Sequence, residues 1–246
     1  MNQEKRVALI TGANKGLGLE TARQLGKLNI TVLLGARDSS KGEAAAKKLS
    51  AEGIDARALK LDVTSAQDRD AAVKFIEKNF GKLDILVNNA GIAVEGGWGG
   101  NKTSSTSLQA LQQTFETNLF APVALTQALL PLLRKSHAAR IVNLSSIMGS
   151  LTLHSDAKSP IYNIKPFAYD ASKAALNAFT IHLAHELRDT NIKVNSAHPG
   201  WVKTDMGTDA APMDIEEGAK TSVALATLTD DGPTGAFIHL GKALPW

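Results

Sequence analysis

Tyr169 and Lys173 stand four residues apart in the run YDASK, within a segment whose pattern predicts a helix. That spacing puts a phenol and an ammonium on one helical face. An unperturbed tyrosine titrates near ~10, too high for easy proton exchange at neutral pH, and a neighbouring cation favours its phenolate. At about 4 Å and an effective dielectric of roughly 20, opposite charges attract by about 4 kcal/mol, against about 1.36 kcal/mol per pKa unit. The pair is therefore expected to draw the Tyr169 phenol toward neutrality and fit it for proton transfer. A surface Tyr and Lys that share a face by chance have the same spacing, so other residues must decide.

A second run with chemical content, TGANKGLG, closes the first apolar stretch and precedes an amphipathic helix carrying Leu19, Ala22, Leu25 and Leu28. Gly12, Gly16 and Gly18, with Asn14, Lys15 and Leu17 between them, form a turn whose bare backbone lets N–H groups approach a pyrophosphate at a helix N-terminus. The spacing is G-x3-G-x-G rather than G-x-G-x-x-G, and a merely structural turn is the competing reading. Its place at the first strand-to-helix junction favours a dinucleotide. The residue about 20 positions beyond such a turn meets the adenosine ribose. Arg37 stands there, and with Lys15 it offers two cations to a 2′-phosphate. Asp38 would instead accept from ribose hydroxyls and favour NAD, unless it caps the helix opening at Ser39. Two cations against one carboxylate make NADPH the expected cofactor.

The elements that must position these groups alternate. Apolar strand-like runs at 6–11, 30–36, 55–61, 84–89, 139–145, 192–197 and 236–240 are separated by helical patterns, the signature of βαβ units. The expected fold is α/β: one Rossmann-type doubly wound sheet of about seven mostly parallel strands with helices on both faces. With 246 residues, 43% apolar, and no linker or repeat, residues 1–246 are read as a single dinucleotide-binding and catalytic domain. Loops at 91–107, 147–167 and 201–214 follow carboxyl ends of strands, where such sheets hold ligands; the glycines and hydroxyl residues of 91–107 argue against a regular element. The helices from Leu119 to Leu133 and from Ala171 to Leu187 are apolar on more than one stripe, so burial on two sides is expected, by a subunit interface or by the 147–167 segment.

Composition excludes some classes. No cysteine means no disulfide, thiolate metal site or cysteine nucleophile. The 27 basic and 24 acidic residues are interspersed without a polybasic block, which argues against nucleic acid. His154, His182, His185 and His198 form no convincing ligand set, and no metal is assigned. The apolar run after the charged first residues is too short for a signal peptide or a membrane span; a cytoplasmic protein that binds no membrane is expected.

The TGxxxGxG turn at Thr11–Gly18, NNAG at Asn88–Gly91 and YxxxK at Tyr169–Lys173 occur in order, and together they resemble the short-chain dehydrogenase/reductase family over essentially the whole chain. TGANKG and PGWVKTDM resemble its carbonyl reductase-like members most. The resemblance implies roles. Of Ser145 and Ser146, alignment of the pattern favours Ser146 as the hydroxyl that bonds the substrate carbonyl. Tyr169 would protonate the carbonyl oxygen as hydride arrives from the nicotinamide, with Lys173 lowering its pKa and bonding the nicotinamide ribose. Asn118 would hold a water leading to Lys173, or would cap the helix before Leu119; Pro122, lacking an N–H, would free the Asn118 carbonyl if one helix ran through both. Asp62 and Val63 match an adenine contact, Asn89, Ala90 and Gly91 the passage beside the adenine ribose, and Pro199, Gly200, Val202 and Thr204 the stretch that holds the carboxamide.

Ser146 and Tyr169 are 23 positions apart, a longer spacing than in the commonest members, and monomeric carbonyl reductases of this family carry larger insertions at the same place. Tyr162 lies in that segment as a rival phenol, but its fourth successor is Pro166, which supplies no ammonium. A homo-oligomer, dimer or tetramer, is expected, with a monomer as the alternative. Trp98, Met148, Leu151, Leu153, Ile161, Phe167, Trp201 and Met206 would line an apolar pocket suited to hydrophobic ketones or aldehydes, about half of them packing only their own loops. The expected activity is NADPH-dependent reduction of such carbonyls to alcohols. An NAD-dependent alcohol dehydrogenase and a dinucleotide-sensing regulator without chemistry are the alternatives.

Overall fold

A computed structural model describes residues 5–99 and 102–246. Residues 1–4, 100 and 101 lie outside it, and with them the start of the N-terminal run and two positions of the 91–107 loop. Seven parallel strands form the sheet: β1 (Val7–Thr11), β2 (Thr31–Ala36), β3 (Ala56–Lys60), β4 (Ile85–Asn88), β5 (Arg140–Leu144), β6 (Lys193–Ala197) and β7 (Phe237–His239). An eighth, β8 (Lys242–Ala243), pairs antiparallel with β7. The expected count of seven omits β8 because a two-residue exposed strand carries no apolar run. It is set by Leu240 and Gly241, whose φ of 44° and 79° form the tight hairpin turn.

The order β3-β2-β1-β4-β5-β6-β7-β8 runs outward from β1 in both directions. The carboxyl ends of β1 and β4 therefore diverge into a crevice at the switch point. Every residue of β1, β2 and β4 is buried, as expected for strands covered on both faces. Alternate side chains feed two cores. Leu9, Leu33, Leu86 and Val194 meet Ile76 of α3 (Ala66–Phe80), Leu129 of α5 (Ala121–Leu133) and Leu183 of α7 (Phe167–Glu186). Ile10, Val32, Leu34 and Val87 meet Leu25 of α1 (Gly16–Lys27), Leu49 of α2 (Ser39–Ala51) and Leu225 of α8 (Ile215–Ala226).

Two segments read as loops contain short helical turns. Residues Thr103–Ser105 form one, and the 147–167 segment holds another at Ile147–Gly149 followed by α6 (Leu151–Ser155), which is capped by the Ser150 hydroxyl accepting from the Leu153 N–H at 3.1 Å. Short helices without an apolar stripe leave no periodicity to read. Between α4 (Leu108–Phe115) and α5 the chain makes a π-turn at Glu116–Phe120. The expected second buried side of the helices is only partly realised: Phe120 and Ile181 are exposed, as is Leu108 of the neighbouring α4. Among the described residues, no helix is long and apolar enough to cross a membrane.

Candidate active site

At the carboxyl ends of the parallel strands lies a cleft of about 1020 Å³. Its floor on one side is the glycine turn. Gly12 and Gly16 have φ of 63° and 57°, left-handed values that glycine adopts freely. Gly18 is confined differently: a Cβ there would lie 2.5 Å from Asn89 Nδ2 and 2.6 Å from the Gly12 carbonyl. Asn89 donates through Nδ2 to the Thr11 carbonyl at 2.7 Å, and the Thr11 hydroxyl accepts from the Asn89 and Ala90 N–H groups at 3.0 and 2.9 Å. The ends of β1 and β4 are thus locked side by side, with their backbone facing the cleft and the N-terminus of α1 opening into it.

Arg37 and Asp38, which made opposite arguments about the cofactor, part company in the structure. Asp38 caps α2, accepting from the Ser40 hydroxyl at 2.7 Å and the Lys41 N–H at 3.1 Å, and those hydrogen bonds hold its carboxyl below the usual range. Arg37 stays exposed on the cleft wall. Lys15 also lines the cleft, but its ammonium is paired with Asp205, a partner that nothing in the residue pattern announced. Asp62 accepts from the Thr64 N–H and hydroxyl at 3.0 and 2.7 Å.

Helix α7 begins at Phe167, earlier than the periodicity beginning at Ala171 suggests, so Tyr169 lies in its first turn. The Tyr169 N–H donates to Glu95 Oε2 at 3.0 Å, a side-chain cap supplied by the 91–107 segment. The Ser146 side chain lies against the Tyr169 phenol, where it favours the phenolate, and Ser146 Oγ accepts from the Met148 N–H at 3.2 Å. Lys173 donates to the Leu144 carbonyl at 2.8 Å, with Nζ 5.6 Å from the Tyr169 ring centroid. The expected lowering of the phenol pKa by Lys173 is not what the geometry gives. Burial pushes Tyr169 up to about 12, opposed by the Ser146 hydrogen bond and assisted by Asp170, while burial brings Lys173 down to about 8. Desolvation outweighs an ammonium whose hydrogen bond points to a carbonyl instead of the phenol. Tyr162, the rival phenol, is 40% exposed, and the ammonium over its ring at 5.2 Å comes from Lys165, three positions on.

Asn118 is buried in the π-turn and is not a helix N-cap. The helix does continue through Pro122, in the first turn of α5. The Asn118 side chain clamps Ile92 in both directions, accepting from its N–H and donating to its carbonyl at 2.9 Å each, and donates to the Ser172 hydroxyl at 3.0 Å. Ser172 in turn donates to the Tyr169 carbonyl at 2.7 Å. A Cβ on Gly91 would lie 3.4 Å from Asn118 Oδ1 and 3.5 Å from Lys173 Nζ; both groups flank that glycine.

Most of the anticipated cofactor residues line the cleft: Gly12, Asn14, Lys15, Gly16, Leu17, Gly18, Arg37, Asp62, Val63, Asn89, Ala90, Gly91, Tyr169, Lys173, Pro199 and Thr204. Gly200 and Val202 lie behind its wall, where Val202 pairs with Met213 in an isolated bridge. Of the two serines it is Ser145 that lines the cleft; its hydroxyl is buried with no partner among the described residues. Leu61, Thr117, Asp205, Thr208, Asp209 and Ile215 join the wall without having been expected. His198, considered only as a ligand, instead accepts at Nδ1 from the Ile147 and Gly200 N–H groups at 3.2 and 3.4 Å, so its proton sits on Nε2. Burial and His239 hold it down at about 3.

Beyond Tyr169 stands an apolar wall, of which only Tyr169 and Met206 line the cleft itself. Met148, Ile161 and Tyr169 are buried together, with Trp98, Leu153 and Met206 packed against them, whereas Leu151, Phe167 and Trp201 are exposed. Behind this wall, Asp170 lies 3.2 Å from His154 Nε2, and Lys165 meets His154 Nδ1 at 3.0 Å. His154 Nε2 donates to the Met148 carbonyl at 2.9 Å. Burial and the nearby Glu95 raise Asp170 to about 8, against Lys165.

A family model described as short chain dehydrogenase matches residues 6–214. The chain is 34% identical to carbonyl reductase [NADPH] 1 of Mus musculus, with 100% of both chains covered. It is 32% identical to (+)-neomenthol dehydrogenase of Capsicum annuum, covering 95% of each. Among solved structures, NADPH-bound carbonyl reductase from chicken fatty liver is similar with a TM-score of 0.85, 29% identity, and 99% and 100% of the two chains covered.

Proposed function

The chain belongs to the short-chain dehydrogenase family, and from that premise we propose that it reduces hydrophobic ketones or aldehydes to alcohols with NADPH. The observation that carries the reading is the Tyr169 phenol lining the cleft with Ser146 set against it and Lys173 one helical turn on. The chain fits the cofactor: the Gly12–Gly18 turn leaves room where a Cβ would not fit, and Arg37 stands exposed on the same wall. Backbone N–H groups at the start of α1 would take the pyrophosphate, Arg37 and Lys15 the 2′-phosphate, and Asp62 and Val63 the adenine. Asn89, Ala90 and Gly91 would pass its ribose; Pro199, Gly200, Val202 and Thr204 would hold the carboxamide end. Asp38, spent on capping α2, no longer supports an NAD preference.

NADPH supplies the hydride that reaches the carbonyl carbon. Ser146 Oγ would donate to the carbonyl oxygen and fix its direction, and Tyr169 Oη would deliver the proton that completes the alcohol. A phenol near 12 stays protonated through the neutral range, which suits a general acid. Lys173 would bond the nicotinamide ribose and carry positive charge beside the phenol, charge that is lost as pH rises through about 8; reduction is expected to slow across that pH. Asn118, through Ile92 and Ser172, holds the loop after β4 against α7 and is read as the anchor of proton return to Lys173. Residues 91–107, 147–167 and 201–214 would form the substrate side of one domain spanning 1–246. A cytoplasmic enzyme that binds neither nucleic acid nor membrane completes the reading, with homo-oligomerisation supported by the exposed Leu108, Phe120 and Ile181; light scattering tests that point.

Initial rates with an aryl ketone decide the main reading. Rapid NADPH consumption, little with NADH, and loss of turnover in Tyr169→Phe with cofactor binding retained are expected. Full turnover in Tyr169→Phe would sink it.

A further inference from the structure

Two groups that line the cleft, Tyr169 and Met206, are bridged by a residue from a third segment. The Trp98 indole N–H donates to the Met206 carbonyl at 2.9 Å. Its ring meets that of Tyr169 at a centroid distance of 5.2 Å and an interplanar angle of 83°, an edge-to-face arrangement. Met148 and Ile161 complete the buried patch. A carbonyl oxygen that reaches the Ser146 and Tyr169 hydroxyls would bring one substituent toward Trp98, which stays partly exposed beside the Tyr169 ring. The polar tip of the indole is already occupied by Met206, so what Trp98 offers that substituent is apolar π surface and no hydrogen bond.

We propose that Trp98 is a specificity-determining residue, the wall against which a flat aromatic substituent of the carbonyl substrate packs. The inference deepens the reading of the site as a carbonyl reductase and rests on it. Trp98 does not touch the reacting atoms. Its contribution is the difference in transition-state binding between substrates that reach the wall and substrates that stop short of it.

The test compares kcat/KM for acetophenone and butan-2-one in wild type, Trp98→Ala and Trp98→Phe, with NADPH binding followed by fluorescence. In Trp98→Ala the acetophenone value is expected to fall about tenfold, the scale of a lost aromatic contact, while butan-2-one stays within about twofold and NADPH affinity is unchanged. Trp98→Phe, which keeps a ring but no N–H, is expected to retain more of the acetophenone rate than the alanine variant. A parallel fall for both ketones, as misplacement of Tyr169 would produce, overturns the inference, and so does an unchanged ratio. Wild-type protein that binds NADPH yet reduces neither ketone overturns the reading of the site, and this inference with it.

Discussion

On the cofactor side of the cleft the wall is largely backbone, from Gly12, Gly16, Gly18, Ala90 and Gly91, held by Thr11 and Asn89. On the side proposed for the substrate, side chains from three separate segments, Trp98, Met148, Ile161 and Met206, meet around Tyr169. A backbone wall has few ways to vary: the space at Gly18 leaves no room for a methyl group. A side-chain wall can be rebuilt residue by residue without disturbing the strands that carry it. One side is shaped to admit a dinucleotide; on the proposed reading, the other selects which carbonyl.

The largest effect is expected where the two sides meet. Tyr169→Phe removes the donor to the carbonyl oxygen and should lower kcat by on the order of 10³-fold with NADPH binding intact, measured by steady-state rates and cofactor titration. Gly18→Ala then tests the backbone wall. Its Cβ would meet Asn89 Nδ2, the Gly12 carbonyl and Ala13 Cα within 3.0 Å, so a loss of roughly 1–3 kcal/mol in denaturant stability and weakened NADPH binding are expected. Gly99→Ala, in the substrate loop with nothing within 4 Å of its Cβ, should change stability by no more than about 0.5 kcal/mol. Equal losses at both positions would erase the contrast.

Arg37→Ala should weaken NADPH binding roughly tenfold by removing charge-assisted hydrogen bonds to the 2′-phosphate and leave NADH binding nearly unchanged; equilibrium titration with both cofactors measures it. The last effect is on stability alone and lies behind the substrate wall. Asp170 holds its proton up to about 8 when folded and only to about 3.8 when unfolded. The folded state therefore binds more protons between those values, and stability contributed at this position falls as pH rises from about 4 to about 8. Asp170→Asn should flatten that part of the slope between pH 5 and pH 8 in denaturant titrations. A slope unchanged by the substitution would mean that His154 and Lys165 keep Asp170 ionised.

The cofactor side was largely legible because its requirements are local. A turn without side chains, a cation about 20 positions on and an N–H donor row at a helix start are written in consecutive residues, and the strands that carry them are continuous apolar runs matched within a residue or so at each end. The eighth strand, the π-turn at Asn118 and helix α6 were not legible, since two exposed residues, one inserted residue and one short turn leave no periodicity. Nor were the Glu95 cap on α7, the Lys15–Asp205 pair or the Trp98–Met206 bond, each joining residues at least 74 positions apart.

Residue type and spacing by themselves determined the parallel sheet, the glycine turn and the Tyr169–Lys173 pair, because each rests on steric and hydrogen-bonding rules that act over a few neighbouring residues; the family and Ser146 came from the resemblance of those motifs to known members. The tertiary structure alone decided that Asp38 is spent on capping α2, that Ser146 and not Ser145 meets the Tyr169 phenol, and that burial raises that phenol instead of lowering it. Desolvation and long-range contacts depend on what the folded chain brings around a group, and no local pattern of residues states that.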